Sequence, residues 1–135
     1  QYPDMKMVGQ QTANWEKTEA YDKMESMLQA NPDIQGVICG NDTMVEGVCA
    51  ALQAAGKNIP VIGVDGSDEV AALIRSGQAT GTALQQFALM SEKAVEQADK
   101  YLKEGSTGMD EKQLVDCIAI TKDNVDKLSA FVYTE

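Results

Sequence analysis

The sequence predicts an α/β fold: a parallel sheet with helices on both faces. Three observations carry that prediction. Short apolar runs bounded by glycine alternate with segments whose apolar residues recur at helical spacing. The strand-like runs are apolar on nearly every residue, as strands covered on both faces are. With 135 residues, 44% of them hydrophobic, the chain is long enough for one packed core.

The elements follow in order. Met5 to Gln11 alternates and reads as a first strand. Thr12-Ala-Asn14 is a turn, with Asn14 placed to cap the helix that starts at Trp15. Ala20, Tyr21, Met24, Met27 and Leu28 form one face of that helix, and Asn31-Pro32 ends it. Val37 to Gly40 is a second strand, and Thr43-Met-Val-Glu46 has capping-box spacing. Met44, Val45, Val48, Cys49, Leu52 and Ala55 make the next helix face, with Gly56 at its C′ position. Ile59 to Val64 is the third strand. Ser67 caps a short helix through Val70, Ala71, Leu73 and Ile74, which stops at Ser76-Gly77. Ala79 to Leu84 is the fourth strand. Leu89 to Lys103 is the longest helix, its buried face formed by Met90, Ala94, Val95, Ala98 and Leu102. A loop from Ser106 to Lys112 leads to a last strand, Leu114 to Ile120, and a terminal helix, Asn124 to Phe131.

Composition removes several functions. Acidic residues outnumber basic ones by 21 to 11, so the electrostatic footprint for nucleic acid is missing. The chain has no histidine, which excludes a Ser-His-Asp triad, a Cys-His pair and a histidine metal ligand. Cys39, Cys49 and Cys117 are odd in number and widely spaced, and read as buried small hydrophobes. Neither a phosphate-cradling glycine loop nor a dinucleotide fingerprint is present. Asp65-Gly-Ser lacks the second acid of an aspartyl phosphatase loop, because Gly63 stands two residues earlier. No cofactor and no metal are expected, and no apolar run approaches the ~20 residues that span a bilayer.

Open parallel sheets bind ligands beyond the carboxyl ends of their strands. The first strand ends at Gln10-Gln11, with Trp15 just beyond. Asn41-Asp42, Asp65-Gly66 and Gln85-Gln86 end the next three. Asn and Gln both donate and accept, and an ionised Asp accepts from two hydroxyls at once. With an indole for a C–H face, this set suits a neutral polyhydroxylated ligand. Each member also has a plainer reading: Asn41 or Asp42 as a helix cap, Trp15 as core, Asp65-Gly66 as a turn.

Four segments carry a family pattern: Asn31-Pro-Asp-Ile-Gln-Gly-Val37, Gly40-Asn-Asp-Thr-Met44, Ala54-Ala-Gly-Lys57 and Pro60-Val-Ile-Gly-Val-Asp-Gly66. In order and spacing they resemble the ribose-binding-protein branch of the periplasmic sugar-binding proteins. Ile120-Thr-Lys-Asp-Asn-Val125 resembles that family's C-terminal signature. The resemblance implies a type I periplasmic-binding-protein fold, here a partial C-terminal lobe, and solute binding for an ABC transporter. It implies a sugar or polyol ligand, a membrane permease as partner and a periplasmic or lipid-anchored extracellular location. The family's ligand residues map onto Trp15 for ring stacking and onto Asn41, Asp65 and Gln85 for hydroxyl hydrogen bonds. Residues 1–86 would be the lobe proper. Residues 87–112 would be a helix and loop packed on the other lobe, and 113–135 a return strand and terminal helix. The other lobe and the first two strands of this one lie outside the sequence, with further ligand residues among them. The missing lobe, or a second copy paired along the first strand, is therefore an expected partner. Gln1-Tyr2-Pro3 reads as the start of an excised or mature piece. The nearest alternative is the effector domain of a lactose-repressor-like regulator, and a more distant one is a fragment of a flavodoxin-like enzyme.

Overall fold

The computed structural model describes residues 2–134. Its elements run α1 (Lys17–Ala30), β1 (Val37–Ile38), α2 (Asp42–Ala54), β2 (Val61–Asp65), α3 (Asp68–Ser76), β3 (Gly81–Leu84), α4 (Phe87–Glu104) and β4 (Ile118–Thr121). A 3-10 turn, Val125–Lys127, and a short hairpin of β5 (Leu128–Ser129) and β6 (Val132–Tyr133) complete the chain. The main sheet has the order β1-β2-β3-β4, parallel through β3, with β4 returning antiparallel. Asp65 and Leu84 are register partners, so β2 and β3 end at the same level.

The two β-α-β connections advance in one direction, and a right-handed crossover then puts α2 and α3 on one face. α1 packs on α2, and α2 on β2 and α3. Val61, Thr82, Leu84 and Ile120 are buried beneath this layer, with Val45, Val48, Leu52, Val70 and Ile74 from the helices. The opposite face carries Ile38, 81% exposed, and Ile62, 42% exposed. The predicted α/β class and parallel sheet hold, with α1, α2 and α3 gathered over one of the two faces.

The helices follow the sequence closely where local signals are strong. Ser67 Oγ accepts from the Val70 N–H at 3.1 Å, and Gly77 closes α3 at φ +78°. Gly56 takes φ +65° after α2. Six expectations need correction. Met5 to Gln11 forms no ladder, because no strand among the described residues supplies partners for its backbone; it lies exposed, with Gly9 against Met27. The cap of α1 is Glu16 rather than Asn14, and that of α2 is Asn41 rather than Thr43. The long helix α4 exists, but Met90, Ala94, Val95, Ala98 and Leu102 are all exposed, since nothing packs on that face among the described residues. Cys117 is exposed, while Cys39 and Cys49 are buried as expected.

The sixth correction is the terminal helix. Asn124 accepts from the Thr121 N–H and donates to the Ala119 carbonyl, which turns the chain out of β4. Arg75 then holds the Val125 carbonyl and the Asp126 carboxylate. Asp68 accepts from the Ala130 N–H at 2.9 Å. Ala130 and Phe131 have φ of +48° and +61°, the two-residue hairpin geometry that residues without a Cβ penalty usually fill. Neither is glycine, so the hairpin leaves no mark in the sequence.

Candidate functional site

The carboxyl ends of β1, β2 and β3 bring the four singled-out residues to one edge. They arrive as two pairs. Trp15 follows Asn14 in a turn where both have positive φ, +66° and +47°. Its indole lies on Gly40: a Cβ there would be 2.8 Å from Trp15 Cζ3 and 3.2 Å from Met44 Cε. The ring is otherwise open, and the residue is 64% exposed. Asn41 caps α2, its Oδ1 accepting from the Met44 N–H at 2.9 Å. Its Nδ2 donates to the Trp15 carbonyl at 3.3 Å. The cap reading of Asn41 is therefore correct, and it leaves one amide hydrogen and one lone pair for another partner.

The second pair is Asp65 and Gln85. Gln85 Nε2 donates to Asp65 Oδ1 at 2.8 Å, and the Gln85 N–H donates to the Asp65 carbonyl at 3.1 Å. Among the described residues, Asp65 Oδ2 takes no hydrogen bond. Asp65 is half-buried and sits at φ +131°, a strained value for a residue with a side chain.

The two pairs are joined by Asp42, which from the sequence alone is a candidate helix cap. Its side chain is buried, and Oδ2 accepts from the N–H groups of Gly66 at 2.9 Å and Ser67 at 2.8 Å. Oδ1 accepts from Thr82 Oγ1 at 2.7 Å. Burial pushes the carboxyl above its ordinary value, and the bonds from Ser67, Thr82 and Gly66 oppose that rise. Asp65 also faces an open cleft of about 500 Å³ lined by Phe87, Ala88, Ala130, Phe131 and Val132. Phe87 and Phe131 meet edge to face, their centroids 5.6 Å apart. Phe131 was missed because its place depends on the unsignalled hairpin.

Among the described residues, no group of three or more acidic, cysteine or histidine side chains is placed to hold a metal. The edge is rich in hydrogen-bond acceptors and donors and holds one open aromatic face. Polar groups gathered at strand ends stand where open α/β sheets take up ligands.

The chain belongs to the family described as the periplasmic binding protein domain, whose model matches residues 1–107. It is 55% identical over 133 residues to a D-apiose import binding protein of Actinobacillus succinogenes, covering 97% of this chain and 43% of that protein. A solved ABC transporter periplasmic solute-binding protein from Actinobacillus succinogenes, with bound D-allose, superposes with a TM-score of 0.86 at 30% identity. That match covers 93% of this chain and 44% of the other. The Caulobacter myo-inositol binding protein, solved with myo-inositol, has a TM-score of 0.83 at 30% identity over 96% of this chain and 45% of its own. The chain thus spans less than half the length of the relatives it matches.

Proposed function

We propose that this chain is one lobe of a sugar- or polyol-binding protein that delivers its ligand to an ABC-type membrane permease. It binds and makes no bonds. The observation that carries the reading is the linked strand-end set: Trp15 and Asn41 on one side of Asp42, Asp65 and Gln85 on the other. Trp15 supplies the face for a ring's C–H groups. Asp65 Oδ2, Asn41 and the Gln85 carbonyl are available for hydroxyls. The similarity to proteins named for apiose import or solved with allose and myo-inositol supports the same ligand class.

Partners follow from the exposed apolar surfaces. Residues 1–86 form the lobe proper. Residues 87–112 pack through α4 on a second lobe, which covers Met90, Val95 and Leu102. Residues 113–135 return the chain to this lobe. The open side of β1 and the free Met5 to Gln11 segment pair with the remainder of a longer polypeptide or with a second copy. Ligand is enclosed when two lobes close, and the permease recognises the closed form. In this reading the protein works in the periplasm or, as a lipid-anchored form, outside the cell.

The test is calorimetry on the full-length protein that carries this sequence, against D-apiose, D-ribose, D-allose, xylitol and myo-inositol. One tight ligand is expected, and Trp15→Ala or Asp65→Ala abolishes its binding. A protein that binds none of them, or variants that bind normally, would overturn the assignment.

A further inference from the structure

Asp65 holds its unusual backbone angle because the residues after it are fastened. The next two N–H groups, of Gly66 and Ser67, converge on a single oxygen, Asp42 Oδ2. Asp42's other oxygen accepts from Thr82 Oγ1, and Thr82 lies on β3 two residues before Leu84, the register partner of Asp65. One carboxylate thus ties the start of α2 to the turn after β2 and to β3. It also fixes the separation of the two strand ends that carry Asp65 and Gln85. Asp42 is 2% exposed, so its carboxylate is not open to a ligand itself. The neighbourhood is shaped around it: a Cβ on Gly63 would fall on Asp42 Oδ1, so glycine leaves the space the carboxylate fills. Two converging N–H donors and a hydroxyl match a carboxylate's acceptor-only inventory.

We infer that Asp42 is a positioning residue for ligand binding, acting through the Gly66 and Ser67 N–H groups to aim the Asp65 carboxylate. The inference rests on the sugar-binding reading above. A residue serving the core alone would lower the melting temperature and leave the discrimination among hydroxyls unchanged. A residue that aims Asp65 alters how one particular hydroxyl is read.

The experiment is calorimetry on the full-length protein with whichever of D-apiose, D-ribose, D-allose, xylitol and myo-inositol binds most tightly, and with its monodeoxy analogues. Asp42→Ala weakens the parent ligand by about 30-fold. Asp42→Asn keeps one oxygen for both N–H groups and lets its amide donate to Thr82, so it costs only about 5-fold. The loss in Asp42→Ala vanishes for the deoxy analogue lacking the hydroxyl that Asp65 reads, and it vanishes when Asp65→Asn is already present. Thr82→Val removes one of the three bonds and serves if Asp42→Ala does not fold; it shows the same selective pattern at about 3-fold. Losses equal across all analogues, or additive with Asp65→Asn, would overturn the inference while leaving the binding function intact. A wild-type protein that binds no member of the panel would overturn the function first, and the inference with it.

Discussion

The side-chain amide of Gln85 donates to the Asp65 carboxylate at 2.8 Å, across the gap between two parallel strands that end at the same level. One oxygen of Asp65 is thereby oriented, and the other is left for a ligand. Gln85→Ala therefore weakens sugar binding by the full-length protein by about 10-fold, close to one hydrogen bond to a charged group. Its melting temperature stays nearly unchanged, because the residue is only half-buried. Calorimetry and thermal melting of the same variant check both halves, and unchanged affinity contradicts this role.

Gly40 gives the indole its seat. In Gly40→Ala the new methyl meets Trp15 Cζ3 at 2.8 Å, and the exposed ring moves aside at little cost to the fold. Trp15 is the chain's one tryptophan, so its emission reports the shift directly. The expected outcome is a changed emission maximum and weaker sugar binding with an unchanged circular dichroism spectrum.

Much of this was readable from residues, and the unread part has physical causes. Ser67, Gly56 and Gly77 act through local backbone needs, so α2 and α3 could be bounded from sequence. Asn41, Asp65 and Gln85 fall at strand ends wherever the strands are placed, which is why the edge was legible. Asp42 was not, because its partners Gly66, Ser67 and Thr82 lie 24 to 40 residues away and meet it only through the fold. The periodicity of α4 predicts a buried face, but periodicity marks a surface fit for packing and does not supply the partner.

Asp42 also gives a pH signature. Its carboxyl lies above the ordinary 3.8 in the folded protein, because burial disfavours the charge. The folded state therefore holds this proton more tightly than the unfolded state. The stability it contributes is fully present below about pH 3.8 and is lost as pH rises through the folded value. In urea unfolding, the stability of wild type relative to Asp42→Asn falls over that interval and is level above it. A difference that rises with pH contradicts the sign.

The three thiols separate by burial. Burial holds Cys39 up at about 12 and Cys49 at about 11, and both side chains are covered. Cys117 is exposed. A thiol reagent at pH 8 labels Cys117 alone in the native chain, and all three after denaturation. Native labelling of Cys39 contradicts the burial of the residue that follows β1.

The central claim is that this strand edge is half of a closing sugar site, and one paired titration tests it most directly. The full-length protein and the isolated 135-residue chain are titrated with D-apiose, D-ribose, D-allose, xylitol and myo-inositol. The full-length protein binds one of them tightly, and the isolated chain binds it with a Kd above ~1 mM, since half the contacts and the enclosure are gone. Micromolar binding by the isolated, monomeric chain, or no binding by either, contradicts the account.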